Sequence, residues 1–541
     1  MKRRMTAIVC LVLALSLVLG GCSLDFLGDY LKRLNSTINT LSGDASYSDM
    51  EYTRPDMTAL EQTLAESCET ARTATNINKL LDAIYTYYDC YDEFYTNMLL
   101  AYVRYNTDLR DTYWEGEYDY CAQHAGTVDA GLEELYFALA QSPLRSTLDG
   151  EDYFGPEFLK AYEGESLWDQ NFLALLEEEA RLEGQYYEVM GEQTLEDYEA
   201  FYDAHFDTLA QLLVDLVQVR QKMAAHMGYG AYSGFAYEYV HQRDFVPAQA
   251  RNLMESIRQE LVPVYIRLNS SGFWQDYDAP CTQQEMTDYV SECAEIMGGY
   301  VEEAWDMMEG NGLWEIEPGE YKLNASFEVY LPTYRVPLVF VNPTQTQYDK
   351  LVMAHEFGHF FHDYVRSGSL TSTDVAEVLS QGMEYLSLCL CEDTQELTRL
   401  KMADSLAVYV EQAAYASFEH QLYELAEEEL TAENVRNLYA QVGRDFGFDS
   451  LEWDTREFVT LTHIYTEPMY LISYVVSNDA AFQLYELEQA QSGAGVEKYL
   501  AMPTSEETQF CGFVEDMGLE GVFSQTRIPQ VKKTLEEILF P

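Results

Sequence analysis

The sequence predicts a mostly α-helical protein with one small β-sheet, and three observations carry that expectation. Stretches 64–125, 166–227 and 400–440 are free of proline and nearly free of glycine, and their apolar residues recur at three- and four-residue steps. Strand-like character is confined to 327–341, with Phe327, Val329, Tyr330 and Leu331 followed by Val336, Leu338, Val339, Phe340 and Val341. A break at 150–164, rich in glycine, proline and acids, separates an amino-terminal helical region from the remainder. With 541 residues, 47% of them apolar, the chain can bury a substantial core and has length for more than one domain.

Taken in order, the first element is not part of the fold. Lys2, Arg3 and Arg4 form a positive start, and 7–19 is an apolar run too short to span a bilayer. The run closes on Leu19, Gly20, Gly21 and Cys22, which resembles a bacterial lipobox. In that reading 1–21 is a signal peptide, and Cys22 carries acyl chains that anchor the protein at the extracytoplasmic face of the bacterial membrane. The expected organisation is a polar tether at 22–48, an amino-terminal helical region at 49–165 and a catalytic region at 166–541.

Charge narrows the partners. The net charge is −60, and removing 1–21 takes away Lys2, Arg3 and Arg4 and no acid, which makes it −63. Binding to nucleic acid or adsorption to an anionic membrane surface calls for basic patches, so both are disfavoured. Acids such as Glu177, Glu178 and Glu179 lie on helical faces and read first as a solvated surface. Eight cysteines follow Cys22, at scattered spacings that form neither a disulfide framework nor a metal site.

The most informative segment is His355-Glu356-Phe357-Gly358-His359. On a helix His355 and His359 share a face, so both imidazoles can reach one Zn²⁺ while Glu356 acts on its water. Flanking Leu351, Val352, Met353, Phe360 and Phe361 mark a buried helix, where such a density of ionisable groups needs a reason. A catalytic zinc needs a third protein ligand, and Glu377 on the apolar helix 374–384 is the candidate. A competing reading makes Asp374 an N-cap with Glu377 at the capping-box position. Glu384, two turns on, is expected to orient a ligating histidine or, less readily, to ligate itself. His362 shares the face of the two histidines and could pack or support them.

These segments resemble the oligoendopeptidase F, thimet oligopeptidase and Pz-peptidase family of zinc metallopeptidases. The resemblance rests on 334–342 with 355–362, on Val375-Ala376-Glu377-Val378-Leu379-Ser380, and on His463 through Pro468 and Tyr470 to Tyr474. Met227-Gly228-Tyr229 and Arg243-Asp244-Phe245 are similar to two further family elements, so the likeness spans about 170–541. The 17 residues between His359 and Glu377 are fewer than the family leads one to expect.

The resemblance implies a zincin-type fold with the small sheet before the zinc helix and a helical shell around a deep channel. It implies one Zn²⁺ per chain held by His355, His359 and Glu377, Glu356 as general base, and His463 and Tyr470 stabilising the oxyanion. Tyr474 is a weaker candidate for the same wall. Strand 336–342 would be the edge along which an extended peptide adds. The expected activity is internal cleavage of short unfolded peptides. The alternatives are a metallocarboxypeptidase of a related helical zincin class and an inactive peptide-binding surface lipoprotein.

Overall fold

A computed structural model of the chain describes residues 45–150, 153–160, 162–163, 169–190, 198–273, 279–366, 372–451, 453–505 and 507–541. The expected signal peptide, Cys22 and most of the tether lie outside these residues. Of the tether, residues 45–48 are described, and there Tyr47 N–H donates to the Asn311 carbonyl at 3.3 Å.

Three helices build the amino-terminal layer: α1 (Met57–Thr73), α2 (Ile77–Thr107) and α3 (Thr112–Ala140). Each opens on a side chain that satisfies otherwise unpaired N–H groups: Asp56 for α1, Asn76 for α2 and Asp111 for α3. They bury Leu60, Leu80, Ile84, Tyr87, Leu132 and Tyr136 in a core of their own. The 31 residues of α2 run about 46 Å, and its last turns place Leu99, Leu100 and Val103 in the larger core. One helix thus serves two cores and fixes the layers against each other.

The larger body contains α4 (Gln170–Met190) and α5 (Tyr198–His226), which pack along each other. After α5, Gly228 turns the chain at φ +86°, a conformation glycine supplies without strain, and Tyr229 N–H closes the turn on the Ala224 carbonyl. Helix α6 (Gln283–Met297) leads to strands β1 (Trp314–Glu315), β2 (Ser326–Leu331) and β3 (Val336–Val341). The order is β1-β3-β2, with β1 parallel and β2 antiparallel to β3.

The sheet corrects one expectation. β3 is the central strand and not the edge; β2 is the longer edge. Pro337, with no N–H to donate, suits an edge strand. Yet β1 reaches only Val339 and Phe340, so Pro337 lies past its end. All six β3 residues are buried, the pattern of a strand covered on both faces.

The sheet lies against α7 (Asp349–Arg366), and α7 lies against α8 (Thr373–Leu390). Helix α9 (Gln395–Ala407) and a short π-helical segment, Val408–Gln412, follow. Helices α10 (Ala413–Leu422) and α11 (Ile472–Ala490) complete the surround, with α11 packed along α8. Nearly every α8 residue from Asp374 to Leu388 is buried, so its polar groups must find partners inside. No helix among the described residues is long and apolar enough to cross a membrane.

Candidate metal and peptide site

The site forms where α7 and α8 touch. Gly358 makes the contact possible: a Cβ there would lie 2.5 Å from Ser380 Cα and 2.8 Å from the Leu379 carbonyl oxygen. Without a side chain, α7 brings His355 and His359 against Glu377. His355 Nε2 lies 3.3 Å from His359 Nε2 and 3.5 Å from Glu377 Oε2, while His359 Nε2 lies 3.8 Å from Glu377 Oε1. These three groups could hold a metal ion, and they are the only such cluster among the described residues.

The capping-box reading of Glu377 fails. The N-cap of α8 is Ser372, and Asp374 is engaged by Arg243, its Oδ2 accepting from Nε at 3.1 Å. Glu377 points to the histidines, with Ser380 Oγ at 3.3 Å and Tyr470 Oη donating to Oε1 at 3.0 Å.

Behind the cluster, His355 Nδ1 and Glu384 Oε1 are 2.8 Å apart, which turns His355 Nε2 toward Glu377. Glu384 Oε2 is held in turn by Lys401 Nζ at 2.8 Å, and Lys401 also meets Asp404 at 3.3 Å. Sequence reasoning missed Lys401. It sits among the apolar residues of α9 at 2% exposure, and that buried charge was the available signal. His362 pairs with Asp363 at 3.0 Å and lies outside the cluster.

Charge at the cluster is unbalanced. Burial would lower the pKa of His355, but the bond to Glu384 and the charges of Glu377, Glu384 and Glu356 lift it to about 9. Burial, with Glu377 and Glu384 nearby, pushes Glu356 up to about 8 against the pull of His355. These groups attract positive charge, and two imidazoles with a carboxylate are a donor set that suits zinc. Among the described residues neither carboxylate oxygen of Glu356 has a partner, although both are buried.

His463 and Tyr470 meet on the facing wall, rings stacked with centroids 5.5 Å apart, and His463 Nε2 lies 3.2 Å from Tyr474 Oη. The loop that carries them is held from far along the chain. Arg243 donates from Nη1 to the Met469 carbonyl at 2.9 Å and from Nη2 to Ser473 Oγ at 2.7 Å. His241 Nε2 meets the Pro468 carbonyl at 2.9 Å, and Glu419 Oε1 accepts from Met469 N–H at 2.9 Å. Met469 is thereby kept at φ +67°, an unusual conformation for a side chain of its size. Asp244, the neighbour of Arg243, accepts from the N–H groups of Cys511 and Gly512, both at 2.9 Å.

A cleft opens on the cluster, lined by Asn324, Ala325 and Ser326 at the start of β2, by His355, Glu356 and Tyr474, and by Lys401, Asp404 and Gln412. The cysteines Cys68, Cys90, Cys121, Cys281, Cys293, Cys389, Cys391 and Cys511 are all free and stand apart from the cluster.

Residues 47–166 match the family model described as the Peptidase M3 N-terminal domain. No curated protein sequence matches the chain. Among solved structures, Pz peptidase A in complex with an inhibitor is similar at a TM-score of 0.80, with 18% identity over 91% of this chain and 99% of that one. A Bacillus anthracis protein described as an oligoendopeptidase F follows at 0.77, with 19% identity over 92% and 98%. The oligoendopeptidase-F of Enterococcus faecium gives 0.59, with 14% identity over 90% and 98%. The chain therefore has the fold of these zincin-type peptidases, over almost its whole described length.

Proposed function

We propose that the protein is a zinc-dependent endopeptidase of the oligoendopeptidase F, thimet oligopeptidase and Pz-peptidase family, which hydrolyses short unfolded peptides. One observation carries the reading: His355, His359 and Glu377 converge beside Glu356, whose two buried carboxylate oxygens have no partner among the described residues. Structural matrix alone offers no reason for that arrangement. The match of 47–166 and the shared fold support it.

Zinc held by His355, His359 and Glu377 would supply an acidified water and a Lewis acid for the scissile carbonyl. Glu356 takes the proton of the attacking water and returns it to the leaving amine nitrogen. Both its oxygens are buried and without a partner among the described residues, which leaves the carboxylate free to accept and pass on that proton. Glu384 and Lys401 keep His355 oriented. Tyr470, already within 3.0 Å of Glu377, and His463 stacked on it donate to the oxyanion that develops on the carbonyl. The peptide adds as an extra strand on β2, whose first residue lines the cleft.

A carboxypeptidase requires a cation for the substrate's terminal carboxylate. Lys401, the lysine among the described residues lining the cleft, is committed to Glu384 and Asp404, which favours internal cleavage. We place the protein at the extracytoplasmic face of a bacterial membrane, anchored through Cys22, on the strength of residues 2–22.

The test is an internally quenched short peptide, incubated with soluble protein lacking 1–22, with Glu356→Gln, and with chelator-treated enzyme, products being read by mass. Internal cleavage lost in both controls supports the proposal. Release of single carboxyl-terminal residues would move it to the carboxypeptidase class. Stoichiometric zinc with no cleavage across a mixed peptide library would leave the peptide-binding lipoprotein.

A further inference from the structure

The cleft continues past the zinc cluster along the helical stretch 395–422, and there it carries hydrogen-bonding groups that the chemistry above does not use. Lys401, Asp404, Val408 and Gln412 recur at three- and four-residue steps, and all four line the cleft. The last two are the ends of the π-helical segment Val408–Gln412, a form that is rare and concentrates at functional sites. From α8, Gln381 lines the same cleft. It lies four residues after Glu377 and three before Glu384, so it shares their face of the helix.

Both glutamines are buried with an acceptor to spare. Gln412 is 2% and Gln381 4% exposed, and the Oε1 of each has no partner among the described residues. The orientation of Gln381 is set by its other end. Its Nε2 donates to Ser477 Oγ at 3.0 Å, and Ser477 gives its own hydrogen to the Ser473 carbonyl at 2.5 Å, so that hydroxyl accepts from Gln381. The carbonyl end of Gln381 is thus the end left without a donor.

The acids of the cleft, in contrast, are already served. Lys401 bridges Glu384 at 2.8 Å and Asp404 at 3.3 Å, Tyr348 Oη lies 3.3 Å from Asp404 Oδ1, and Asp349 Oδ1 accepts from Thr344 N–H at 2.9 Å. Buried acceptors without donors are costly, which points to a guest that brings the donors. Two acceptors call for a group with two hydrogens to give. A hydroxyl has one, a carboxylate has none, and a second ammonium would face the buried charge of Lys401. A primary carboxamide has two N–H and no charge.

We infer that Gln412 and Gln381 form a subsite for the side-chain carboxamide of an asparagine or glutamine next to the scissile bond. The inference rests on the peptidase reading and adds to it a substrate class. The subsite discriminates by what a wrong side chain leaves unpaired: an apolar residue of the same size buries both carbonyls without donors, and an acidic one adds further acceptors.

The experiment uses quenched peptides of one length: a norleucine-containing parent, and the parent with glutamine, asparagine, glutamate or lysine at each position in turn. Wild type, Gln412→Met and Gln381→Met are assayed for kcat/KM, methionine being close to glutamine in size and without its carbonyl. Binding of the same peptides to Glu356→Gln, alone and combined with Gln412→Met, is measured by calorimetry. At one position glutamine or asparagine is expected to exceed norleucine on the order of 10- to 100-fold, and each methionine variant to remove most of that preference. If one methionine variant fails to fold, the other carries the comparison. No gain from a carboxamide at any position, a larger gain from lysine at the same position, or a preference that survives the methionine variants overturns the inference. Absence of cleavage of every peptide overturns the peptidase reading instead, and the calorimetric comparison then decides the subsite by itself.

Discussion

Gly358→Ala tests whether helix contact sets the geometry of the proposed zinc site. The new methyl would stand 2.5 Å from Ser380 Cα, 2.8 Å from the Leu379 oxygen and 3.1 Å from Ser380 N, all backbone atoms that cannot swing aside. Carbon atoms in contact settle at about 3.5–4.0 Å, so α7 and α8 must separate by roughly 1 Å. Overpacking of this kind costs about 1–3 kcal/mol, and the better helix propensity of alanine offsets about 1 kcal/mol of it. The net loss of stability is then small, about 1 kcal/mol. Metal binding suffers more. His355 and His359 flank Gly358 on α7, Glu377 lies three residues before Ser380 on α8, and ligand sets tolerate only about 0.5 Å of misplacement. Zinc affinity, measured by competition with a chromogenic chelator, is expected to fall about 10- to 100-fold, with the denaturation midpoint nearly kept. A variant that binds zinc as tightly as wild type would refute the idea that this glycine sets the ligand spacing.

Other perturbations address the supports. Lys401→Met takes the ammonium from two buried acids, leaving Glu384 to His355 and Asp404 to the Tyr348 hydroxyl, and it should cost about 3–5 kcal/mol in chemical denaturation while weakening zinc binding. Burial pushes the Glu419 carboxyl up to about 8, against its Met469 N–H bond and the charges of Arg220 and Arg243. The native state therefore holds that proton more tightly than the unfolded chain, so stability should decline as pH rises from about 4.5 to about 8, by up to about 1.4 kcal/mol per pH unit. Denaturation midpoints across that range should lose this component in Glu419→Gln, which can still accept from Met469 N–H; an unchanged slope would count against it. Cys22→Ser should release the full-length protein from the membrane fraction and abolish the acyl mass on the mature amino terminus; continued detergent-dependent extraction would exclude the lipid anchor.

Much of the site was legible because its parts are encoded locally. His355, Glu356 and His359 occupy one turn, Glu377 and Glu384 share a face of a second helix, and His463, Tyr470 and Tyr474 fall within twelve residues. The supports were not legible, because their pairings are remote. Arg243 and Met469 are 226 residues apart, and Arg220 and Tyr465 are 245 apart. No spacing rule links such positions. Strand order was misread for a related reason: pairing partners are a property of the sheet, and β1, two residues long, leaves no periodicity to detect. The continuous apolar run of β3 did carry the sign of a central strand, but the family resemblance implied the edge position.

The grip of Arg220, Arg243 and Glu419 on the 463–470 loop also dictates when that loop can take its shape. These three residues leave the ribosome before the loop does, as do His355, Glu356 and His359. During synthesis the chain thus presents the His355–His359 helix while the 463–470 loop is still missing. Met469 has no reason to adopt its unfavourable backbone angle until Arg243 and Glu419 are in place to hold it. The shape of this loop is then the last part of the candidate site to form, after the final third of the chain has folded back on the first half.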